Sequence, residues 1–194
     1  MLSEFTNTKD VALMLTGETL RVVIVTTHIP LNKVKELITR KQVATIVQLT
    51  HQWLLENVTD SPNIAVTGLN PHCGDCGIFG EEELTEIIPG LEIVRKEGIK
   101  ASGPFSADAL FARLKPNEYD AVVTMYHDQG MIPGKMANRG TAVNVTLGLP
   151  IIRTSVDHGT AFDIAGKGCA SAKSLQSAIK SAAQFVKLPV NLPK

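Results

Sequence analysis

Histidine is the commonest protein ligand for divalent transition metals, and three of the five in this 194-residue chain stand in similar surroundings. His28 follows the apolar run LRVVIVTT (20–27), His72 lies in the loop fed by an apolar run that begins at Asn63, and His127 closes YDAVVTMY (119–126). In layered α/β sheets, ligands gather where strands end and loops begin, so three imidazoles placed this way can converge on one point. Three protein ligands leave coordination positions open for substrate or water, which a catalytic metal needs. The three lie far apart in sequence, so no local ligand pattern supports the set. Each also reads as an ordinary hydrogen-bonded residue at a strand end. His51, mid-helix beside Gln52, reads as surface or helix packing.

A second group follows His127: Asp128, Gln129, Lys135, Asn144 and Arg153, bracketing short strands. Arginine grips a phosphate or carboxylate through paired hydrogen bonds, and lysine supplies a compact charge that can also transfer a proton. Together they suit a small, doubly anionic substrate; the alternative is surface charge at strand ends. The glycine-rich stretch DHGTAFDIAGKG (157–168) lets backbone N–H groups approach a ligand closely. It is not the G-x-G-x-x-G dinucleotide fingerprint, so a Rossmann assignment has no support.

Cys73 and Cys76 form a C-x-x-C next to His72. A structural zinc site wants four ligands, and no second close pair follows at the usual spacing. A thioredoxin-like pair would open a helix with few flanking glycines, so two incidental loop thiols are the simpler reading. With Cys169 the chain has three cysteines, which cannot all pair internally and suit a reducing compartment.

The elements that must position these residues alternate between strand and helix. Strands are expected at 20–27, 63–69, 119–126, 141–146 and 150–155, from short β-branched runs. The three- and four-residue recurrence of Val43, Ile46, Val47, Trp53 and Leu54 predicts a helix over 41–57, with Thr39 as its cap. An acidic helix start is expected near Glu81, interrupted by Pro89 and Gly90, with a second stretch to about Lys96. Ser106 can cap a helix over 107–114. A terminal helix over 172–187 would turn Leu175, Ala178, Ala182, Phe185 and Val186 inward. Alternation of this kind predicts a layered α/β fold.

Nineteen basic residues balance nineteen acidic ones, which argues against nucleic acid or an anionic membrane surface as the main partner. No apolar run approaches the roughly 20 residues of a membrane-spanning helix, and the N-terminus lacks a signal-peptide layout. A cytoplasmic location is expected.

The motifs TTHIPL, GLNPHCGDCGIFGEEE, GPFSAD, YDAVVTMYHDQG and VNVTLGLPIIRTSVDHGTAFDIAGKG, in this order, resemble the 4-hydroxythreonine-4-phosphate dehydrogenase family of vitamin B6 synthesis. HGTAFDIAGKG is also similar to the cofactor loop of isocitrate and isopropylmalate dehydrogenases, whose two-lobed fold that family shares. The resemblance implies metal ligation by His28, His72 and His127, with zinc, magnesium or cobalt as the ion. It implies substrate binding by Lys135, Asn144 and Arg153, with Lys135 the first choice for the base. It places His158, Gly159, Thr160 and Asp163 along a nicotinamide cofactor, NAD or NADP. The implied reaction is oxidation and decarboxylation of 4-phosphohydroxy-L-threonine to 3-amino-2-oxopropyl phosphate, at a site built on a homodimer interface.

Family members carry a long region before the stretch matching Val11, including a histidine–threonine pair that binds substrate phosphate. The expectation is therefore a fold lacking most of its N-terminal lobe: residues 1–155 as the metal-binding, dimerising lobe, and 156–194 as the cofactor loop and terminal helix of the other. The alternatives are a D-threonate or D-erythronate 4-phosphate dehydrogenase, a non-catalytic metal-binding dimer, or a half that needs a separately encoded partner. Cys73 and Cys76 stand where small or acidic residues are more typical of the family.

Overall fold

The structure, a computed structural model, describes residues 2–186. Its strands are β1 (Ala12–Thr16), β2 (Val22–Ile24), β3 (Asn63–Thr67), β4 (Lys100–Phe105), β5 (Ala121–Thr124), β6 (Val143–Leu147) and β7 (Thr154–Val156). Its helices are α1 (Leu2–Phe5), α2 (Val34–Leu37), α3 (Arg40–Asn57), α4 (Ile88–Lys96), α5 (Ala107–Arg113), α6 (His127–Asn138) and α7 (Lys173–Phe185). The strands form one mixed sheet in the order β4-β3-β5-β2-β1-β6-β7. The β4, β3, β5 and β2 strands run parallel, whereas β1, β6 and β7 continue the sheet by antiparallel pairing.

Strand alternation decides what each face of the sheet covers. Met14, Val23, Val66, Val123, Val143 and Val145 join Val43, Ile46, Val47 and Leu54 of α3, Leu91 and Val94 of α4, and Ala178 of α7 in the main core. On the opposite face, Val22, Ala65 and Val122 pack with Leu110 of α5, while Leu15 and Ile24 pack with Met131 of α6. The Thr39 hydroxyl accepts the Gln42 N–H at 3.2 Å and caps α3, as its position suggests.

Several elements depart from the sequence reading. Pro89 and Gly90 do not break a helix: Glu83–Ile87 forms a π turn that runs directly into α4. The Thr85 carbonyl, which the missing proline N–H cannot reach, accepts from the Arg40 guanidinium at 3.1 Å. Gly90 lets α3 and α4 touch, since a Cβ there would lie 2.8 Å from the Arg40 carbonyl oxygen. The 127–138 stretch is helical although Gly130, Pro133 and Gly134 argue against it locally. A Cβ on Gly130 would stand 2.4 Å from Thr124 Oγ1, so tertiary packing against β2 and β5 selects glycine. The Ser106 hydroxyl donates to Asp108 instead of capping a backbone N–H. The strand expected over 150–155 is only three residues long and starts at Thr154. In α7, Ala178 and Phe185 face inward, but Leu175 and Val186 are exposed. Lys187, at the expected end of that helix, lies outside the described residues.

Candidate metal and substrate site

The parallel strands β3, β5 and β2 end at the same edge of the sheet, and the three histidines leave from there. Beyond the strands proper, β2 and β5 stay fastened: Val25 N–H donates to the Thr124 carbonyl at 2.8 Å, and Thr26 gives both N–H and hydroxyl to the Met125 carbonyl. This brings the rings of His28 and His127 to a centroid distance of 5.5 Å, in the wall of a 360 Å³ cavity that also includes Thr27, Tyr126 and Asp128. Nδ1 of His127 is engaged by Asp128 Oδ1 at 2.7 Å, which leaves Nε2 as the ring nitrogen that could take a ligand. A carboxylate behind an imidazole in this way sets the tautomer and raises its basicity as a ligand.

His72 sits in a neighbouring 600 Å³ groove between α5 and α6, which shares Tyr126 and Asp128 with the first cavity. Its backbone belongs to a left-handed run, His72 to Cys76, in which every φ is positive. L-residues avoid this region at a cost of roughly 1–2 kcal/mol each, so the surroundings must hold the loop. They do so through Glu83, whose buried carboxylate accepts Leu69 N–H and Asn70 N–H at 2.7 Å and the Asn70 side-chain amide at 2.9 Å. Glu82 accepts from the same amide and pairs with Lys35 at 2.7 Å; hydrogen bonding to Lys35 holds its carboxyl below the usual range. Across the groove, the Ser106 hydroxyl, and next the Ala109 backbone N–H, hold the Asp108 carboxyl below its ordinary range. The role of Glu82 and Glu83 is invisible in sequence, where they read only as an acidic helix start.

Burial, and next the negative charge of Glu83, pushes the Cys73 thiol up, the opposite of an activated cysteine; Cys76 is exposed. Among the described residues of one chain, no three histidine, cysteine, aspartate or glutamate side chains lie close enough to hold a metal. The structure thus brings His28 and His127 together and leaves His72 in the adjoining groove.

The polar group assembles elsewhere. Lys135 lies eight residues along α6 from His127, about 12 Å at 1.5 Å per residue. Its ammonium pairs with Asp157 Oδ1 at 2.9 Å and donates to the Asp157 carbonyl. Asn144 donates to the Val156 carbonyl at 2.9 Å, and Arg153 reaches the Thr146 hydroxyl at 3.4 Å. Asn144 and Thr146 alternate with the buried Val143, Val145 and Leu147, so they share the sheet face on which α6 lies. The loop bearing His158, Gly159, Thr160 and Asp163 is exposed throughout those four residues, and His158 bonds its neighbour, the Gly159 carbonyl, at 3.0 Å.

The arrangement is a sheet edge that brings His28 and His127 together, with Lys135, Asn144 and Arg153 apart from it. The family model described as "Pyridoxal phosphate biosynthetic protein PdxA" matches residues 1–182. The chain belongs to the PdxA family. A 4-hydroxythreonine-4-phosphate dehydrogenase of Geobacter metallireducens is 50% identical over 188 residues, which cover 97% of this chain and 56% of that protein. A relative from Oceanobacillus iheyensis, named for D-threonate 4-phosphate dehydrogenase, is 46% identical, covering 95% of this chain and 56% of its own length. The crystal structure of a 4-hydroxythreonine-4-phosphate dehydrogenase from Klebsiella pneumoniae superposes with a TM-score of 0.86 at 40% identity, over 96% of this chain and 57% of that one. This PdxA-family chain therefore spans about half the length of the relatives it matches. The seven-stranded sheet is the α/β fold of those structures over that half.

Proposed function

We propose that this chain is the metal- and substrate-binding part of an NAD-dependent 4-hydroxythreonine-4-phosphate dehydrogenase, one that oxidises and decarboxylates 4-phosphohydroxy-L-threonine to 3-amino-2-oxopropyl phosphate. The observation that carries the reading is the His28–His127 pair at the ends of β2 and β5, with Asp128 on Nδ1 of His127, in a chain of the PdxA family. The donor chemistry of the pair fits a divalent transition metal such as zinc or cobalt better than magnesium, which prefers oxygen ligands, and His72 is the third ligand. Because His72 and the Lys135, Asn144 and Arg153 group stand apart from that pair within one chain, the full constellation is completed by a second copy, in a homodimer.

When bound, the metal supplies Lewis-acid polarisation of the substrate hydroxyl, and NAD or NADP takes up hydride. Arg153 and Lys135 hold the anionic ends of the substrate, and Asn144 orients it by hydrogen bonding. Lys135 is also the candidate base; to take the hydroxyl proton it must leave its pair with Asp157 and first lose its own ammonium proton to solvent. His158, Gly159, Thr160 and Asp163 line the cofactor. Residues 1–155 form the metal-binding lobe, and 156–194 belong with the cofactor lobe, which the remainder of a full-length relative completes.

The reading favours a phosphorylated hydroxy acid over nucleic acid or membrane; among the described residues no helix is long and apolar enough to cross a membrane. The O. iheyensis relative supports a second substrate, D-threonate 4-phosphate. The test is NAD reduction by the chain joined to the other half of a relative, with added divalent metal and each substrate in turn. Turnover of the amino compound is expected; turnover of the hydroxy acid alone would replace the first substrate by the second.

A further inference from the structure

Between the His72 loop and His127 lies one side chain that touches both supports. Gln129, in the first turn of α6, accepts Met125 N–H at 2.8 Å and the Thr67 hydroxyl at 2.9 Å on Oε1, and donates from Nε2 to the Gly68 carbonyl at 2.8 Å. The orientation of the amide is decided by its partners, since a backbone N–H can only donate and a carbonyl can only accept. One planar group therefore ties the end of β3 to the end of β5 and to the helix that carries His127.

The peptide between Gly68 and Leu69 is held from both sides: Gln129 takes its carbonyl, and Glu83 takes its N–H. Gly68 leaves no room for slippage, since a Cβ there would lie 2.8 Å from Glu83 Oε1 and 2.9 Å from Cys73 Sγ. Four residues on, the chain enters the left-handed run that bears His72. We infer that Gln129 is a positioning residue that fixes the His72 loop and the start of the helix carrying His127 on one frame, with Glu83 as the opposing jaw, so that each imidazole is presented in a set place for a metal site completed by a second copy. The inference rests on the metal reading above, but the tie itself can be tested without metal.

The experiment compares the chain with Gln129→Met, which keeps length and neutrality and removes all three hydrogen bonds. Hydrogen exchange of the metal-free protein is read over 68–80, with α3 as internal reference, and Co(II) titration follows absorption and affinity. The expected result is exchange over 68–80 at least about 10-fold faster with α3 unchanged, and Co(II) affinity lower by about 10- to 100-fold, as when the outer support of a ligand is lost. If Gln129→Met does not fold, Gln129→Glu keeps the acceptor for Met125 and Thr67 and sets a carboxylate oxygen against the Gly68 carbonyl in place of the donor; the same rise in exchange is expected. Unchanged exchange over 68–80 in a folded variant overturns the inference, as does unchanged Co(II) affinity and spectrum in a folded Gln129→Met. If the unaltered chain takes up no Co(II), the metal reading fails, while exchange still decides whether Gln129 holds the loop.

Discussion

At the scale of single residues, Asp128 engages Nδ1 of His127 and so chooses the nitrogen that remains for a ligand. Replacing it with Asn keeps the shape but removes the charge that makes the imidazole a better donor. Zn(II) or Co(II) affinity is expected to fall about 10-fold in Asp128→Asn, by calorimetric titration, with the fold intact by circular dichroism. His127→Ala, which deletes the ligand, is expected to reduce binding further than Asp128→Asn. Glu82 offers a second prediction at this scale. Its folded-state carboxyl lies below the ordinary range, mainly through hydrogen bonding to Lys35, so the link contributes stability above the ordinary glutamate pKa and loses it as pH falls through the folded value. Thermal unfolding followed from neutral pH down to pH 3 is expected to show a smaller acid-side loss in Glu82→Gln than in the unaltered chain.

At the scale of elements, α6 carries His127 at one end and Lys135 near the other, so its placement on the sheet governs both candidate sites. Its N-terminal end is set by Gln129 and its C-terminal end by Asn138, which is buried. The Asn138 amide accepts from Thr19 and Leu20 N–H groups and donates to the Leu20 and Gly134 carbonyls, tying the β1–β2 turn to the last helical turn. Gly17 makes the approach possible, since a Cβ there would overlap the Asn138 side chain. Truncation to Ala strands several backbone groups, each worth about 1–3 kcal/mol if left unsatisfied, with partial relief from solvent. Asn138→Ala is expected to lose about 2–3 kcal/mol in urea unfolding; a change below about 0.5 kcal/mol would show that the turn finds other partners.

At the scale of the whole molecule, the two groups of candidate residues are separated by about two turns of α6, and His72 lies in a groove next to the paired histidines. One chain therefore offers parts of a site rather than a closed one. The expected state in solution is a dimer by sedimentation equilibrium, with bound divalent metal in proportion to chains. NAD reduction is expected only once the half of the protein that the relatives possess beyond this stretch is supplied. A monomer that still binds metal tightly through His28, His72 and His127 would show that one chain can close the site alone.

Much of this was open to reading before any coordinates. Short β-branched runs followed by histidines place His28 and His127 correctly at the ends of parallel strands, because strand propensity and the edge of a sheet are local properties of the chain. The period of α3 and its Thr39 cap are legible for the same reason. The order of motifs identifies the family, since long motifs carry specificity whatever their contacts. What sequence could not reveal depends on partners distant in the chain. The helix at 127–138 defies its own glycines and proline, because packing against β2 and β5 outweighs propensity. The π turn before Pro89 depends on Arg40, and the Glu83, Gln129 and Asn138 ties join residues 13 to 119 positions apart. Residue types and local periodicity thus determined which groups this protein offers for chemistry. Only the tertiary structure decided which of them meet, because a hydrogen-bonded tie exists only when folding brings both of its ends to one place.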